Sequence, residues 1–496
     1  MTARGRVTSF TPNLMAHIGM SLEGTPIRAR HRAPAARAVA FLTAIAVAAA
    51  GGGPVSTPAR AQDPALRGLP IIRDAEIEQL LRDYAQPILR AAGLAQQNVR
   101  VVVLGDRSFN AFVMDGRHIF VNAGALFDAK TPNEIIGVFA HETGHLAGGH
   151  LQRLREQLAA AQTASIVALL AGIGATVAGA KSGASGDIGA AAIMAPQSAI
   201  MRSLLSYVRT QEDQADHAGV KFLNATGQSP RGMVDLFKRL SNEVLFNSKY
   251  IDPYMQTHPM PADRVAALET LARSSPYWER KDPPELQSRH DLMRAKLSGF
   301  MERADTVARR YPPSDQSLPA RYARAISTFR NSGLQQAIHQ IDGLIQAQPH
   351  NPYFYELKGQ ALLEGGHPAE AIAPLRQAVQ LSHNTPLIEI MLAQALNATN
   401  NPKLAEEAVT LLRAAIPREP DSPDAYSQLA MAYGRKGDLA NADLASAQAA
   451  FSRGDLKTAR QLASRAKTRL PIGSPAWVRA DDIVNVKPPN IKAGVQ

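Results

Sequence analysis

The stretch Val138-Phe139-Ala140-His141-Glu142-Thr143-Gly144-His145 contains the pattern H-E-x-x-H. On a helix, residues four positions apart lie on one face, so His141 and His145 point in the same direction. Two neutral imidazoles at this spacing can bind one zinc ion. Glu142 lies at the wrong angle to bind the same ion, but it can hold a zinc-bound water and accept its proton. The pattern therefore predicts a zinc site that cleaves peptide bonds.

The alternative for this stretch is a surface helix with two incidental histidines. The residues before His141 argue against it, because they predict a buried helix, and a buried set of two imidazoles and a carboxylate needs partners. These apolar residues are Ile135, Ile136, Val138, Phe139 and Ala140.

A zinc site needs a third protein ligand. His150 follows nearby, but each helical residue turns by about 100°, so on a continuous helix His150 points away from His141. We therefore expect a carboxylate from a second helix. Glu212 and Asp216 are four positions apart, on one helical face. Glu212 is the predicted ligand, and Asp216 is predicted to accept the free ring N–H of a ligand histidine; an ordinary solvated helix is the alternative.

This spacing of histidines and carboxylates resembles the gluzincin peptidases of the HtpX and CAAX-prenyl-protease family. Two further stretches, residues 110–124 and residues 257–264, resemble the strand region and the H-P-x-x-x-x-R element of that family. The resemblance implies an α+β gluzincin-type metalloprotease domain with one zinc per chain and Glu142 as general base. In that family the position of Asp216 has also been considered a proton donor, so Asp216 joins the candidate catalytic residues.

The H-P-x-x-x-x-R element contains His258 and Arg264. One interpretation of His258 is an ordinary histidine in a rigid, proline-rich loop. The functional interpretation is a fourth zinc ligand, a switch that displaces the catalytic water and keeps the enzyme inactive. Arg264 is a candidate oxyanion stabiliser, a role that requires a cation near zinc.

The region before the zinc helix predicts a small β-sheet. Residues 101–104 predict a strand, and residues 111–114 and 118–122 predict a hairpin around Asp115-Gly116. A strand beside a zinc helix can bind an extended peptide through backbone groups. The resemblance assigns this edge-strand role to residues 117–123; an ordinary core hairpin is the alternative. The candidate substrate-binding residues are His118, Phe120 and Asn122.

The first 61 residues predict a cleavable signal peptide. A basic region precedes the apolar run of residues 38–50, and Ala59-Arg60-Ala61 is a cleavage pattern, so cleavage is expected after Ala61. An uncleaved anchor is the alternative, and Met15 and Met20 are alternative translation starts. We therefore expect an exported protein, located in the periplasm if the source is a Gram-negative bacterium.

The chain of 496 residues has a net charge of +11 and no cysteine. The missing cysteines exclude disulfides and cysteine–zinc sites. No stripe of Lys and Arg with interleaved aromatic residues occurs, so no nucleic-acid partner is predicted.

Residues 157–206 predict a hydrophobic insert between the two ligand helices. Its apolar run, Ala164–Ala180, is short and rich in alanine and glycine. We favour a mobile lid over the active site. The alternatives are a peripheral membrane contact and a transmembrane helix, which would make the protein a membrane-embedded protease.

From residue 317 the sequence repeats. Pro319, Pro352, Pro386 and Pro423 begin corresponding segments that are 33, 34 and 37 residues apart. Small residues recur where two helices must approach closely, which predicts four tetratricopeptide repeats. Such repeats form an all-α solenoid whose concave surface usually binds protein. The predicted organisation is a signal peptide at 1–61, a protease domain at 62–283, a linker at 284–315, a tetratricopeptide-repeat domain at 316–487 and a tail at 488–496.

Together these features predict an exported zinc metalloendopeptidase for protein quality control. The repeats narrow the resemblance to family members that act in β-barrel assembly in the periplasm. This implies misassembled or unfolded outer-membrane β-barrel proteins as substrates and the β-barrel assembly machinery as partner. The alternative is a non-proteolytic periplasmic chaperone or assembly adaptor whose zinc site is closed by His258. Glu142 argues against it, because a structural zinc site needs no general base.

Overall fold

The computed structural model describes Leu66 and residues 68–163, 186–246 and 253–486. Of residues 186–199, 201 and 244–246, the structure describes only the backbone. The predicted signal peptide, the apolar run Ala164–Ala180 and the predicted tail lie outside the described residues. None of the described helices combines the length and apolar character needed to cross a membrane.

A four-stranded sheet precedes the zinc helix. The strands are β1 (Ile71–Ile72), β2 (Arg100–Leu104), β3 (Ala111–Val113) and β4 (His118–Asn122). Their order is β1-β2-β4-β3. The hairpin is confirmed, with Phe112 opposite Phe120 in an antiparallel pair. On its other side β4 pairs in parallel with β2, where Val101 lies opposite Ile119.

This order corrects the predicted substrate edge at residues 117–123. The strand β4 has a partner on both sides, so its backbone groups are already used, and the terminal strands of the described sheet are β1 and β3. The three side chains assigned to substrate are also buried. The His118 ring contacts Asp115, Phe120 stacks on Phe112, and Asn122 donates to Ser108.

Helices surround this sheet and form the rest of the first domain. They are α1 (Ala75–Ala91), α2 (Ala123–Asp128), α3 (Pro132–Gly148), α4 (150–163), α5 (Gly186–Ala225), α6 (Arg231–Phe246), α7 (Pro253–Thr257) and α8 (Ala262–Arg273). The amphipathic α1 begins at Asp74, whose side chain accepts from the backbone N–H of Ile77. The central helix is α3, in which every residue from Pro132 to His145 is buried.

Close approach of two helices to α3 depends on glycines. A Cβ on Gly144 would lie 2.8 Å from the carbonyl oxygen of Ala215 in α5. A Cβ on Gly137 would lie 2.6 Å from the Cβ of Met233 in α6. Real Cβ contacts are longer, so only glycine permits this packing, which brings α5 against the two histidines of α3.

The predicted linker consists of two helices, α9 (Pro284–Met301) and α10 (Ala304–Arg310). On the protease side, His290 contacts the Tyr84 hydroxyl through Nδ1 at 3.1 Å and the Ala129 carbonyl through Nε2 at 3.0 Å. On the other side, Gly299 packs so tightly against Ile326 that a Cβ would come within 2.7 Å. The first of the two linker helices, α9, therefore packs against both domains.

The second domain is all-helical, as predicted. Its helices are α11 (Leu318–Asn331), α12 (Leu334–Ala347), α13 (Pro352–Glu364), α14 (Pro368–Leu381), α15 (Pro386–Ala398), α16 (Ala405–Ala415), α17 (Pro423–Arg435), α18 (Leu439–Ser452), α19 (Leu456–Lys467) and α20 (Pro475–Asn485). Small residues allow the helices to approach: Ala337, Ala371 and Ala408 are fully buried, and Gly359 leaves no space for a Cβ against Leu375. The predicted fold class is confirmed.

Candidate metal centre

Helix α3 places three of the predicted site residues side by side. His141 and Glu142 are fully buried, and His145 is nearly so. The Nε2 atoms of His141 and His145 lie 3.1 Å apart. The His141 ring also meets the Phe237 ring edge to face, with 5.5 Å between centroids. The two imidazoles therefore point to one location, as their spacing predicts.

Helix α5 brings the predicted carboxylates to the same location. Glu212 is buried, and its Oε2 lies 3.4 Å from Nε2 of His141 while its Oε1 lies 3.4 Å from Nε2 of His145. Asp216 lies one turn further along α5, with Oδ1 2.9 Å from Nδ1 of His141. Glu212 thus faces the ligand nitrogens, and Asp216 faces the opposite nitrogen of His141.

The loop after α7 adds His258 to this set. Its Nδ1 lies 3.1 Å from both Glu212 oxygens and 3.3 Å from Nε2 of His141. Its Nε2 lies 3.4 Å from Oε1 of Glu142. The ring packs on Tyr254, at 4.6 Å between centroids. His258 therefore turns one nitrogen to the ligand cluster and the other to the predicted general base.

The four residues fit a zinc ion. One ligand atom each from His141, His145, Glu212 and His258 lies within 4.8 Å of all the others. Close contacts among these four side chains have lengths of 3.1 to 3.4 Å. A tetrahedral site with zinc–nitrogen bonds of ~2.0–2.1 Å requires ligand atoms about 3.3 Å apart. Three imidazoles and one carboxylate are donors that suit zinc.

Glu142 supplies a second test of that fit. Among the described residues, no hydrogen-bond donor reaches either oxygen of its buried carboxylate. A buried carboxylate without a donor is costly. A cation and its bound water at the ligand cluster would satisfy this group.

Burial and neighbouring charges set the protonation of the site. Burial raises the pKa of the Glu142 carboxyl. Burial also opposes ionisation of Glu212, but the three surrounding imidazoles outweigh it and hold the pKa of Glu212 well below its usual value. Burial lowers the pKa of His141, yet its bonds to Asp216 and Glu212 prevail and raise that pKa to about 9. Zinc ligation by His141 therefore requires release of a proton.

Arg264 and Asp216 form a tight pair behind the ligand cluster. Nε and Nη2 of Arg264 donate to the two oxygens of Asp216 at 2.7 and 2.9 Å. Nη1 lies 2.9 Å from Glu212 and donates to the Pro259 carbonyl. These contacts argue against the predicted oxyanion role of Arg264, because its donors are engaged in holding two carboxylates.

The same pair argues against Asp216 as a proton donor. Burial raises the pKa of Asp216, but hydrogen bonds from Arg264 and His141 outweigh it and lower the pKa below its usual value. Asp216 is thus an ionised acceptor, which suits the orienting role predicted for it.

His150 is the residue that sequence reasoning set aside. The helix α3 ends at Gly148, and Gly149 adopts a left-handed conformation with φ +63°. The chain then resumes as α4, which returns the His150 ring to the site, with its Nδ1 2.9 Å from Nδ1 of His145. The signal available in the sequence was the Gly148-Gly149 pair, a common helix end.

Two family models match the chain. Residues 72–272 match Peptidase family M48, and residues 322–386 match the tetratricopeptide repeat. The β-barrel assembly-enhancing protease of Yersinia pestis is 24% identical over 422 residues, which is 83% of this chain and 83% of the relative. The protein of the same name from Escherichia coli K12 is 23% identical over 426 residues, 84% of each chain.

A further relative aligns with a smaller share of the chain. The mitochondrial metalloendopeptidase OMA1 of Schizosaccharomyces pombe is 25% identical over 182 residues, 37% of this chain and 49% of the relative. Together with the converging histidines and carboxylates, these matches confirm the predicted resemblance. The chain is therefore similar to the metallopeptidases of Peptidase family M48 over residues 72–272, and its second domain contains a tetratricopeptide-repeat match.

Proposed function

We propose that this protein is an exported zinc metalloendopeptidase that degrades misassembled outer-membrane β-barrel proteins and aids their assembly. The observation that carries the proposal is the convergence of His141, His145 and Glu212 beside the buried Glu142. The substrate class is suggested by the relatives named β-barrel assembly-enhancing protease, which align with most of this chain.

In the proposed mechanism, His141, His145 and Glu212 hold the ion. When bound, zinc polarises the scissile carbonyl and lowers the pKa of a coordinated water. Glu142 would accept a proton from the attacking water and deliver it to the leaving amine. Burial raises the pKa of Glu142, which favours its acceptance of a proton. Asp216 accepts the Nδ1–H of His141, which leaves Nε2 as the ligand atom.

We propose β3 as the strand that binds substrate. It is one of the two terminal strands of the described sheet, and it packs against α3, which carries Glu142. An extended peptide can pair with such an edge through backbone hydrogen bonds alone. Substrate selection would then depend on an unfolded, extended segment rather than on a particular side chain.

His258 is the proposed switch. In the described conformation its Nδ1 lies 3.1 Å from Glu212, where it would be a fourth ligand in place of the catalytic water, and its Nε2 lies beside Glu142. This arrangement describes a resting enzyme that cannot activate water until the loop after α7 moves. The same observation favours the rival function, a chaperone or adaptor with a closed zinc site, so the test must separate the two.

The insert at residues 157–206 is the proposed lid. Helix α5 runs without interruption from Gly186 to the proposed ligand Glu212 and beyond, so movement of the insert would be transmitted to the metal site.

We further propose export to the periplasm after cleavage at Ala61, with the repeats as the docking surface for the β-barrel assembly machinery. A peripheral membrane contact of the insert is the alternative, and sedimentation with lipid vesicles tests it.

The test is cleavage of one outer-membrane β-barrel protein, supplied unfolded or folded in detergent, by the wild type, Glu142→Gln and His258→Ala. We expect slow cleavage of the unfolded form by the wild type, faster cleavage by His258→Ala and none by Glu142→Gln. If His258→Ala and the wild type leave the unfolded protein intact although both contain zinc, the adaptor function replaces the peptidase function.

A further inference from the structure

We propose that His150 is a positioning residue of the zinc site, whose ring accepts the Nδ1–H of His145 and so directs Nε2 of His145 at the metal. The inference rests on the proposed zinc site. It assigns a partner to the second ligand histidine, just as Asp216 is the partner of the first.

The contact between the two rings has the geometry of a hydrogen bond. The Nδ1 atoms of His145 and His150 lie 2.9 Å apart, and the rings meet at 83° with 4.9 Å between centroids. His150 is only 4% exposed, so water does not compete freely for this contact. The distance lies within the range of nitrogen-centred hydrogen bonds.

Ligand chemistry decides which nitrogen donates. Nε2 of His145 faces Glu212 and Nε2 of His141, so Nε2 is the atom available to the metal. A neutral imidazole that ligates through Nε2 carries its hydrogen on Nδ1. That hydrogen points at Nδ1 of His150, which must therefore be the acceptor and carry its own hydrogen on Nε2.

The local backbone is built for this ring. A Cβ on Gly148 would lie 2.3 Å from Nε2 and 2.6 Å from Cδ2 of His150, so the ring occupies the space that any other residue would fill. Gly149, in the left-handed region, supplies the change of direction between α3 and α4. The second glycine turns the chain and the first makes room for the imidazole.

The chemical type of the acceptor also fits its surroundings. Three carboxylates, those of Glu142, Glu212 and Asp216, already lie in this buried site. With one divalent cation and Arg264, their charges balance. A further carboxylate behind His145 would leave an uncompensated buried charge, which is costly. A neutral imidazole orients the ligand without adding charge.

The test is the zinc affinity of the purified chain, measured by competition with a chromophoric chelator. We expect His150→Leu to weaken zinc binding about 10- to 100-fold, the usual effect of removing a partner of a ligand histidine. His150→Asn places a neutral oxygen acceptor where Nδ1 was and should remain within about threefold of the wild type, whereas a loss of packing alone would not be rescued. Gly148→Ala should displace the ring and weaken binding as His150→Leu does.

Circular dichroism of the metal-free variants serves as the folding control. If His150→Leu does not fold, the zinc affinities of Gly148→Ala and His150→Asn provide the test, and we expect Gly148→Ala to bind zinc more weakly than His150→Asn. The inference is overturned if folded His150→Leu or Gly148→Ala binds zinc as tightly as the wild type, or if His150→Asn binds as weakly as His150→Leu. A wild type that binds no zinc would instead refute the proposed function itself.

Discussion

The metal centre and the junction between the two domains are both buried clusters of charge, but they are completed differently. At the junction, Nζ of Lys296 on α9 lies 2.8 Å from Asp74, 3.2 Å from Glu76 and 3.7 Å from Glu356. The Tyr322 hydroxyl also donates to Glu76 at 2.9 Å. Here the chain itself supplies the central cation.

At the metal centre the only arginine or lysine side chain among the described contacts, Arg264, binds Asp216 and Glu212 from one side. The ligand atoms converge on a point, and Glu142 has no hydrogen-bond donor among the described residues. The comparison teaches that a buried cluster with its own cation holds two domains together. A cluster whose donors converge on one point is built for an ion and its chemistry.

The largest expected effect is at the junction. Lys296→Met removes the cation and leaves the buried Glu76 and Glu356 and the half-buried Asp74 around an apolar side chain, so we expect a loss of about 3–5 kcal/mol in the free energy of unfolding. Urea denaturation measures it. The control is Lys358→Met, which breaks a partly exposed pair with Asp342 and should cost less than about 1 kcal/mol. Equal losses in both variants would contradict the comparison.

The next effect is at the metal centre. Glu212→Ala removes a proposed ligand and should lower zinc affinity by more than about 100-fold, beyond the loss expected for a supporting residue. Chelator competition measures the affinity. The junction cluster provides the contrast, since Glu356→Gln changes a carboxylate of similar burial and should leave zinc affinity unchanged.

A third prediction concerns the approach of α5 to α3. Gly144→Ala would place a Cβ 2.8 Å from the Ala215 carbonyl oxygen, so we expect a loss of about 1–3 kcal/mol of stability together with weaker zinc binding. The matched control is Gly116→Ala, since a Cβ there meets nothing within 4 Å. Thermal unfolding with and without zinc would refute this prediction if the two alanine variants behaved alike.

The smallest effect concerns His290, a buried histidine that contacts a hydroxyl and a backbone carbonyl. Burial lowers the pKa of His290 to about 4, below that of an unfolded histidine, ~6.5. The unfolded chain therefore binds a proton first, and stability is lost as the pH falls below 6.5. Between pH 7 and pH 5 we expect a loss of roughly 1–2 kcal/mol that His290→Gln does not show. The exposed His339→Gln should retain the wild-type pH dependence.

Residues within one helical turn were the most predictable part of the site. His141, Glu142 and His145 follow from helical spacing, and Glu212 with Asp216 follow from the same rule on a second helix. The repeats were predictable because their period recurs along the chain. In each case the information lies within a short segment.

What the sequence did not reveal depends on where the chain turns and which segments meet. The hairpin of β3 and β4 was predicted from its turn, but the parallel pairing of β2 with β4 made β4 internal. His150 was set aside because a continuous helix was assumed across Gly149. The contacts of Arg264 with Asp216 join residues 48 positions apart, and no local pattern indicates them.

The most direct test of the central claim is to remove zinc from the wild type and Glu142→Gln with a chelator, restore it, and follow zinc content and hydrolysis of an unfolded protein together. We predict that both proteins regain about one zinc per chain, and that only the wild type regains hydrolysis. Hydrolysis by zinc-loaded Glu142→Gln at the wild-type rate, or hydrolysis by the metal-free wild type, would contradict the account.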